Sequence, residues 1–175
     1  GFFNNAGIEG RFSSLPDHDI AAFDQVIRVN VRGVFLGLKF MLPVMADGGS
    51  VVNTGSIASY GGSIGNAAYV ASKHAVLGMT KTAAVEVADR RIRVNAVCPG
   101  PVTGRMMSKI DDMTREMAQR GVPRAKLPAS PDRLPFGRRA HPSEIASVVK
   151  FLLGPDSSYI SGIGLLVDGA RLARL

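Results

Sequence analysis

A tyrosine and a lysine one helical turn apart are the residues of this sequence with the clearest chemical potential. Tyr69 and Lys73 lie in the segment Tyr69-Val70-Ala71-Ser72-Lys73, and positions i and i+4 share one face of a helix. A nearby positive charge favours tyrosinate, so we expect Lys73 to lower the pKa of Tyr69 toward a value useful for proton transfer at neutral pH. The pair alone is a weak signal, because it also occurs where the tyrosine is packed and the lysine solvated.

Two other polar residues suggest where such a pair would work. Ser56 directly follows a predicted strand and precedes Tyr69 by a short loop, so its hydroxyl can donate to a carbonyl oxygen that the tyrosine also approaches. Asn30 interrupts an otherwise apolar helical pattern, and a polar amide in such a place needs a hydrogen-bonding reason. It either serves the same site or caps the junction between two helical stretches.

The elements that must position these residues alternate along the chain. Short apolar runs predict strands over residues 1–4, 50–54, 92–97 and 163–167, and helical spacing predicts helices over 17–45, 67–89 and 142–153, the second with Asn66 as its N-cap. This order predicts an α/β fold with a parallel, doubly wound sheet covered on both faces in three layers, α/β/α. Most of the polar candidates follow strand ends, where such sheets bind ligands.

Residues 103–140 break this regularity. Four prolines interrupt the pattern, while four methionines supply adaptable apolar side chains. Long irregular segments in compact domains are usually functional or disordered, and this one follows the end of a strand. It is either a substrate lid within a single domain spanning 1–175 or an ordinary surface excursion.

Composition narrows the class of protein. The 175 residues are 46% hydrophobic, which supports a packed core and excludes a disordered chain. The single cysteine, Cys98, cannot form an intrachain disulfide, so we expect a cytoplasmic protein. The net charge of +7 invites an alternative, a non-catalytic fragment or basic module that binds nucleic acid. The basic stretches do not resemble a known nucleic-acid module, so we favour a solvated basic surface or an anionic small ligand. We expect no nucleic-acid or membrane partner and no metal site.

Several short motifs occur in a familiar order: Asn4-Asn5-Ala6-Gly7, Val29-Asn30, Val52-Asn53 leading to Ser56, Tyr69-x-x-x-Lys73, Arg93-Val94-Asn95, Pro99-Gly100 and Val167-Asp168-Gly169. Together they resemble the short-chain dehydrogenase/reductase family. That resemblance implies a Rossmann-type fold and an NAD(P)-dependent oxidoreductase that interconverts an alcohol and a ketone or aldehyde. It also suggests a homotetramer or homodimer formed through the helices at 17–45 and 67–89.

The resemblance implies a role for each catalytic candidate. Tyr69 would exchange a proton with the substrate oxygen, and Lys73 would lower the pKa of Tyr69 and bind the nicotinamide ribose. Ser56 would orient and polarise the substrate oxygen. Asn30 would hold a water in the proton relay.

The resemblance also implies a set of cofactor contacts. Besides Tyr69 and Lys73, they are Asn5, Ala6, Gly7, Pro99, Gly100, Val102 and Thr103, with the Val102 backbone meeting the nicotinamide carboxamide. Asn5 has an equally weighted alternative, which is to brace the sheet. The cofactor is NAD or NADP, with a slight preference for NAD.

The sequence departs from the family pattern in two places. Gly104 stands where the family usually has a threonine, which puts a pyrophosphate contact in doubt, although Thr103 lies next to it. No glycine-rich turn between a first strand and helix is present. We therefore expect a partial sequence, running from the family's fourth strand to its last, that by itself is poorly soluble, inactive and unable to bind a dinucleotide.

Overall fold

Four short strands form one parallel sheet in the order β1-β2-β3-β4. The structure, a computed structural model, describes residues 1–122 and 130–173. The strands are β1 (Phe2–Asn4), β2 (Ser50–Thr54), β3 (Arg93–Pro99) and β4 (Gly164–Val167), and the helices are α1 (Ile20–Val26), α2 (Gly33–Met41), α3 (Ala67–Glu86), α4 (Arg105–Gln119) and α5 (Pro142–Leu153). The predicted α/β fold with a parallel sheet is confirmed.

Alternation along the strands divides the core into two layers. Neighbouring side chains of a strand point to opposite faces, and Val51 accordingly packs in one cluster with Val76 of α3. Val52, the next residue, packs in a second cluster with Leu152 of α5. All four side chains are fully buried. The sheet therefore lies between α2 and α3 on one face and α5 on the other.

The predicted helix over 17–45 forms as a nearly continuous helical stretch that is π-helical in the middle. Asp19 caps α1 by accepting a hydrogen bond from the Ala22 N–H at 2.8 Å. A π-helical segment, Ile27–Arg32, then joins α1 to α2 and contains Asn30. Single π-helical turns are frequent at functional sites.

The basic run at residues 90–93 is largely occupied by structural contacts. The Arg93 guanidinium is buried and donates to the carbonyl oxygen of Leu152 at 2.7 Å and of Gly154 at 2.9 Å. These hydrogen bonds satisfy carbonyl groups at the C-terminal end of α5. Arg90 donates to the Leu42 carbonyl at 2.8 Å and pairs with Asp47 at 2.9 Å. These cations stabilise the fold.

One local prediction is wrong, and another holds only in part. Residues 103–140 are not irregular throughout, because 105–119 form α4, whose partly buried Ile110, Met113 and Met117 recur at helical spacing. Residues 123–129, which carry two of the four prolines, lie outside the described residues. Asn66 occupies the N-cap position of α3 but does not cap it with its side chain, since its backbone (φ −125°, ψ 38°) departs from the extended conformation usual there.

No helix among the described residues is long and apolar enough to cross a membrane.

Candidate active site

The predicted catalytic residues meet at the carboxyl edge of the sheet. Ser56 follows the end of β2, while Tyr69 and Lys73 lie one turn apart near the start of α3. Asn30 reaches the same region from the π-helical segment, where its amide nitrogen donates to the hydroxyl of Ser72 at 3.0 Å. Tyr69 and Lys73 lie together because they share one helix. Tertiary packing brings Ser56 and Asn30 beside them.

Ser56 is held so that its hydroxyl faces the tyrosine. Its oxygen accepts a hydrogen bond from the Ala58 N–H at 3.1 Å, which leaves the hydroxyl hydrogen to donate elsewhere. The neighbouring Ser59 hydroxyl donates to the Lys73 carbonyl at 2.8 Å and so ties this turn to α3. The Ser56 hydroxyl is near enough to the Tyr69 phenol to lower the pKa of Tyr69 by hydrogen bonding.

Lys73 is a buried cation, only 4% exposed. Its Nζ donates to the Thr54 carbonyl oxygen at 2.7 Å and lies 5.4 Å from the centre of the Tyr69 ring. Burial disfavours the charged form and lowers the pKa of Lys73 from 10.5 to about 8. The ammonium is thus anchored on the end of β2, over the face of the phenol ring.

The pKa of Tyr69 lies above its ordinary value, so the expected net lowering by Lys73 is wrong for this chain. Burial of the phenol is the largest cause, and it outweighs the opposing hydrogen bond from Ser56. The negative charge of Glu9 raises the pKa further. Burial in the folded chain therefore decides the direction of the Tyr69 pKa shift, and the spacing of residues along the sequence does not reveal that burial.

Asn30 is almost completely buried, and its side chain is fully engaged. The amide oxygen accepts from the Ile8 N–H at 2.8 Å, and the amide nitrogen donates to the Ile8 carbonyl at 2.9 Å and to Ser72. The side chain therefore ties the segment after β1 to α3 through the π-helical segment. It does not cap a helix end.

We expect Asn30→Leu to destabilise the protein by about 2–4 kcal/mol, because both backbone groups of Ile8 lose their partner inside the protein. Urea denaturation measures the change. Gln25→Leu, an exposed position on α1, is the matched control and should cost less than about 0.5 kcal/mol. Equal costs for the two variants would contradict this assignment.

The turn Asn5-Ala6-Gly7 lies against the same residues. The Asn5 amide oxygen accepts from the Thr54 hydroxyl at 2.9 Å, so Asn5 links the ends of β1 and β2. A Cβ at Gly7 would lie 3.3 Å from the Asn30 Oδ1 and 3.7 Å from the Lys73 Nζ. The backbone at Gly7 therefore comes close to both side chains.

Within the part of the chain that the structure describes, the segment after β3 pairs along only one of its backbone edges. Ala140 pairs with it on one side, donating to the Pro101 carbonyl at 3.0 Å and accepting from the Thr103 N–H at 2.9 Å. Within residues 1–122 and 130–173, the N–H and carbonyl of Val102 have no hydrogen-bond partner. The Thr103 hydroxyl contacts the Ala140 carbonyl at 3.3 Å, and Gly104 precedes α4 without a side-chain cap.

These groups fit the nicotinamide half of a dinucleotide. The Lys73 ammonium has three donors and gives one to Thr54, so it can reach ribose hydroxyls. The open N–H and carbonyl of Val102 match the acceptor and donor of a carboxamide. By contrast, the described part of the chain holds no group of three or more side chains suited to a metal ion.

Glu9 and its ion-pair partner Lys109 carry no signal in the sequence. Glu9 follows the Asn5-Ala6-Gly7 turn, and its negative charge raises the pKa of Tyr69. Lys109, on α4, lies 3.2 Å from the Glu9 carboxylate. Neither spacing nor composition links these residues, because their proximity arises only from the packing of α4.

Comparison with known proteins identifies the class. A family model described as enoyl-(acyl carrier protein) reductase matches residues 1–170. Levodione reductase from Leifsonia aquatica is 38% identical over 180 residues, covering 99% of this chain and 64% of that protein. Cyclohexanol dehydrogenase from Acinetobacter sp. (strain SE19) is 39% identical over 174 residues, covering 98% and 63%.

The solved structures that resemble this chain indicate the same class of protein. The crystal structure of levodione reductase superposes with a TM-score of 0.88 at 37% identity, covering 100% of this chain and 67% of that one. ElxO with NADP bound gives a TM-score of 0.80 at 29% identity, covering 98% and 66%. The chain belongs to the short-chain dehydrogenase/reductase family, as the motifs suggested. It spans slightly less than two thirds of the length of the two curated relatives.

Proposed function

We propose that the protein carrying this chain is an NAD(P)-dependent oxidoreductase that interconverts an alcohol and a ketone or aldehyde by hydride transfer. The observation that carries the proposal is the grouping of three side chains: the buried Lys73 Nζ lies 5.4 Å from the centre of the Tyr69 ring, and the Ser56 hydroxyl is near enough to lower the pKa of the phenol. The relatives support it, because one is named as a levodione reductase and another as a cyclohexanol dehydrogenase.

In this proposal Tyr69 is the acid and base of the reaction. Ser56 donates a hydrogen bond to the substrate oxygen and holds it beside the phenol oxygen. During oxidation Tyr69, as tyrosinate, accepts the hydroxyl proton, and during reduction the phenol returns a proton to the same oxygen. The positive charge of Lys73 favours the tyrosinate form, opposing the effect of burial. The nicotinamide, when bound, accepts or supplies the hydride.

The residues of the carboxyl edge would hold the cofactor. Lys73 and Tyr69 would contact the nicotinamide ribose, and the open backbone of Val102 would bind its carboxamide. The remaining proposed contacts flank this position: Asn5, Ala6, Gly7, Pro99, Gly100 and Thr103. NAD and NADP both fit these groups, and NADP is bound in the related ElxO structure.

Residues 103–140 would shape the substrate pocket. The partly buried Met106, Met113 and Met117 give α4 an unbranched, adaptable apolar side, suited to an apolar substrate. We propose that this segment acts as the substrate lid.

The described basic residues give the nucleic-acid alternative no support by their placement. Arg138 is paired with Glu144 at 2.8 Å and Arg139 with Asp111 at 2.6 Å, while Arg93 is buried. The basic clusters that suggested this alternative are therefore partly neutralised or internal.

The test is an assay of the full-length protein with NAD and with NADP against a panel of cyclic and acyclic secondary alcohols. We expect alcohol-dependent formation of the reduced cofactor with at least one pair. Retention of DNA or RNA with a steep salt dependence, without turnover of any alcohol or ketone, would overturn the proposal.

We also propose that the protein forms a homodimer or homotetramer through α1, α2 and α3. These helices present exposed apolar side chains, including Ile20 (77% exposed), Phe40 (63%) and Val85 (79%), and exposed apolar patches mark interaction sites. Phe40→Glu should lower the sedimentation coefficient to that of a smaller species. Ser147→Glu, exposed on α5, should leave it unchanged, and a monomeric parent protein would contradict the proposal.

We propose the cytoplasm as the location. Cys98 is a buried free thiol whose pKa burial raises, so it stays protonated and needs no oxidising compartment.

A further inference from the structure

Ser59 is a buried serine that contacts two parts of the candidate active site. It ends the 3₁₀-helical turn Ile57–Ser59, which follows Ser56, and only 3% of it is exposed. Its oxygen accepts a hydrogen bond from the Ser56 N–H at 3.3 Å, and its hydroxyl donates to the Lys73 carbonyl oxygen at 2.8 Å. A hydroxyl has one donor and two acceptor sites, so the single Ser59 side chain makes both bonds at once.

The two serines hold each other in place across this turn. The Ser56 side-chain oxygen accepts from the Ala58 N–H at 3.1 Å, and the Ser59 N–H donates to the Ser56 carbonyl at 2.9 Å. Together with the bond from the Ser56 N–H to the Ser59 side chain, these contacts form a capping box, in which two side chains satisfy backbone N–H groups at the start of a helical turn. The position of the Ser56 hydroxyl is therefore tied to that of Ser59.

The start of the turn is anchored separately, on the sheet. The Gly55 N–H donates to the Val97 carbonyl of β3 at 2.8 Å, and a Cβ at Gly55 would lie 2.6 Å from the Cys98 Sγ. The residue before Ser56 thus packs directly on β3, with no room for a side chain. Gly55 fixes the start of the turn on the sheet, and Ser59 joins its other end to α3.

The carbonyl on α3 that Ser59 contacts belongs to a residue of the proposed machinery. The Lys73 Nζ donates to the Thr54 carbonyl at the end of β2, so Lys73 is held to the strand by its side chain and to the turn by its backbone. Tyr69 lies one turn earlier on the same helix. The Ser59 hydroxyl therefore connects the backbone of the proposed substrate-orienting serine to the helix that carries the proposed acid and base.

We propose that Ser59 is a positioning residue for proton transfer, and that its hydroxyl holds the backbone of Ser56 against α3 so that the Ser56 hydroxyl stands beside the Tyr69 phenol. This inference rests on the proposed function, in which Ser56 and Tyr69 share the substrate oxygen. Ser59 acts through Ser56 and contacts neither substrate nor cofactor. Displacement of a reacting group by about 1 Å can cost about 10²-fold in rate, so loss of this hydroxyl should slow the reaction without removing any group that takes part in it.

The first test is a double-mutant cycle on kcat for alcohol oxidation by the full-length protein. We expect Ser59→Ala to lower kcat by about 10–100-fold in the parent, but to change it by less than about 2-fold when Ser56→Ala is already present. A residue that acts through the Ser56 hydroxyl has nothing left to position in that background. A general loosening of the fold would instead slow both enzymes equally.

Ser50→Ala is the matched control. Ser50 lies at the opposite end of β2, is 2% exposed, and donates its hydroxyl to the Leu152 carbonyl at 2.8 Å. This variant loses the same kind of buried hydrogen bond and should keep kcat within about 2-fold of the parent. If Ser59→Ala fails to fold, Ser59→Thr and its isostere Ser59→Val decide, because equal kcat values in those two would exclude a role for the hydroxyl.

The outcomes separate this inference from the function on which it rests. An unchanged kcat in Ser59→Ala, an equal loss with and without Ser56→Ala, or an equal loss in Ser50→Ala would overturn the inference. If the parent turns over no alcohol or ketone, the proposed function fails, and crystal structures of the parent and of Ser59→Ala still test the positioning role. We expect the Ser56 hydroxyl to move away from the Tyr69 phenol by about 0.5 Å or more in that variant, and an unmoved Ser56 would contradict the inference.

Discussion

Tyr69→Phe lowers kcat for alcohol oxidation by about 10³-fold, within the range that a positioned acid or base contributes, and keeps cofactor affinity within a few-fold of the parent, because the proposed contacts of Lys73 and Val102 remain. The variant removes one oxygen atom from a side chain that is otherwise retained, so the apolar packing of the ring persists. Without the phenol, the proposed acceptor of the substrate proton is gone. Steady-state kinetics and calorimetric titration with the cofactor measure the two quantities.

Tyr60→Phe is the matched control for this prediction. Tyr60 lies close to the site, but its hydroxyl donates to the Gly164 carbonyl at 2.6 Å and thus serves the contact between the loop after β2 and β4. We expect this variant to lose about 1 kcal/mol of stability and to keep kcat within a few-fold of the parent. A Tyr69→Phe variant as active as Tyr60→Phe would remove Tyr69 from the mechanism.

Lys73→Met should stabilise the protein at neutral pH while it abolishes turnover. Burial lowers the pKa of Lys73 from 10.5 to about 8, and a pKa difference of one between the folded and unfolded protein corresponds to about 1.4 kcal/mol. The charged form therefore costs about 3 kcal/mol in the folded protein. The variant also loses the hydrogen bond to Thr54, worth about 1 kcal/mol, so the expected net gain is about 2 kcal/mol.

The difference in unfolding free energy between Lys73→Met and the parent should change with pH in a definite direction. Below pH 8 Lys73 is protonated in both the folded and the unfolded protein, and the cost of burying its charge is complete. Between pH 8 and 10.5 the unfolded protein binds more protons, so the parent gains stability as the pH rises. The advantage of Lys73→Met should therefore shrink through this window and disappear above it.

Chemical denaturation at a series of pH values measures the difference in unfolding free energy between parent and variant. Lys81→Met, an exposed lysine on the same helix, is the control and should show little change at any of these pH values. A Lys73→Met variant that is less stable than the parent at pH 7 would show that the ammonium stabilises the fold and does not cost free energy.

The parts of the site that the sequence predicts are those governed by local spacing. Tyr69 and Lys73 share a helical face because they are four residues apart, and Ser56 reaches the sheet edge because it follows a buried strand. The strand β2 and the helix α5 form within their predicted bounds, where β-branched runs and flanking Gly and Pro mark the ends.

The parts that the sequence does not predict depend on partners far along the chain. In the sequence, Asn30 resembles a residue that caps a helix junction. In the structure, its side-chain amide is hydrogen-bonded to the backbone of Ile8, 22 residues away along the chain. The pKa of Tyr69 depends on burial, which arises only when α3 and the loops around it pack together. Glu9 and Lys109 carry no pattern at all, since the ion pair between them depends on where α4 lies.

Transfer of deuterium tests the central claim most directly. The full-length protein is incubated with oxidised NAD or NADP and a secondary alcohol that carries deuterium on the carbinol carbon, and the reduced cofactor is analysed by mass spectrometry. We predict that the deuterium appears in the reduced nicotinamide, and that the Tyr69→Phe variant transfers it far more slowly. Oxidation of the alcohol with the deuterium released to water would contradict hydride transfer, and transfer at the parent rate in Tyr69→Phe would contradict the role assigned to the tyrosine.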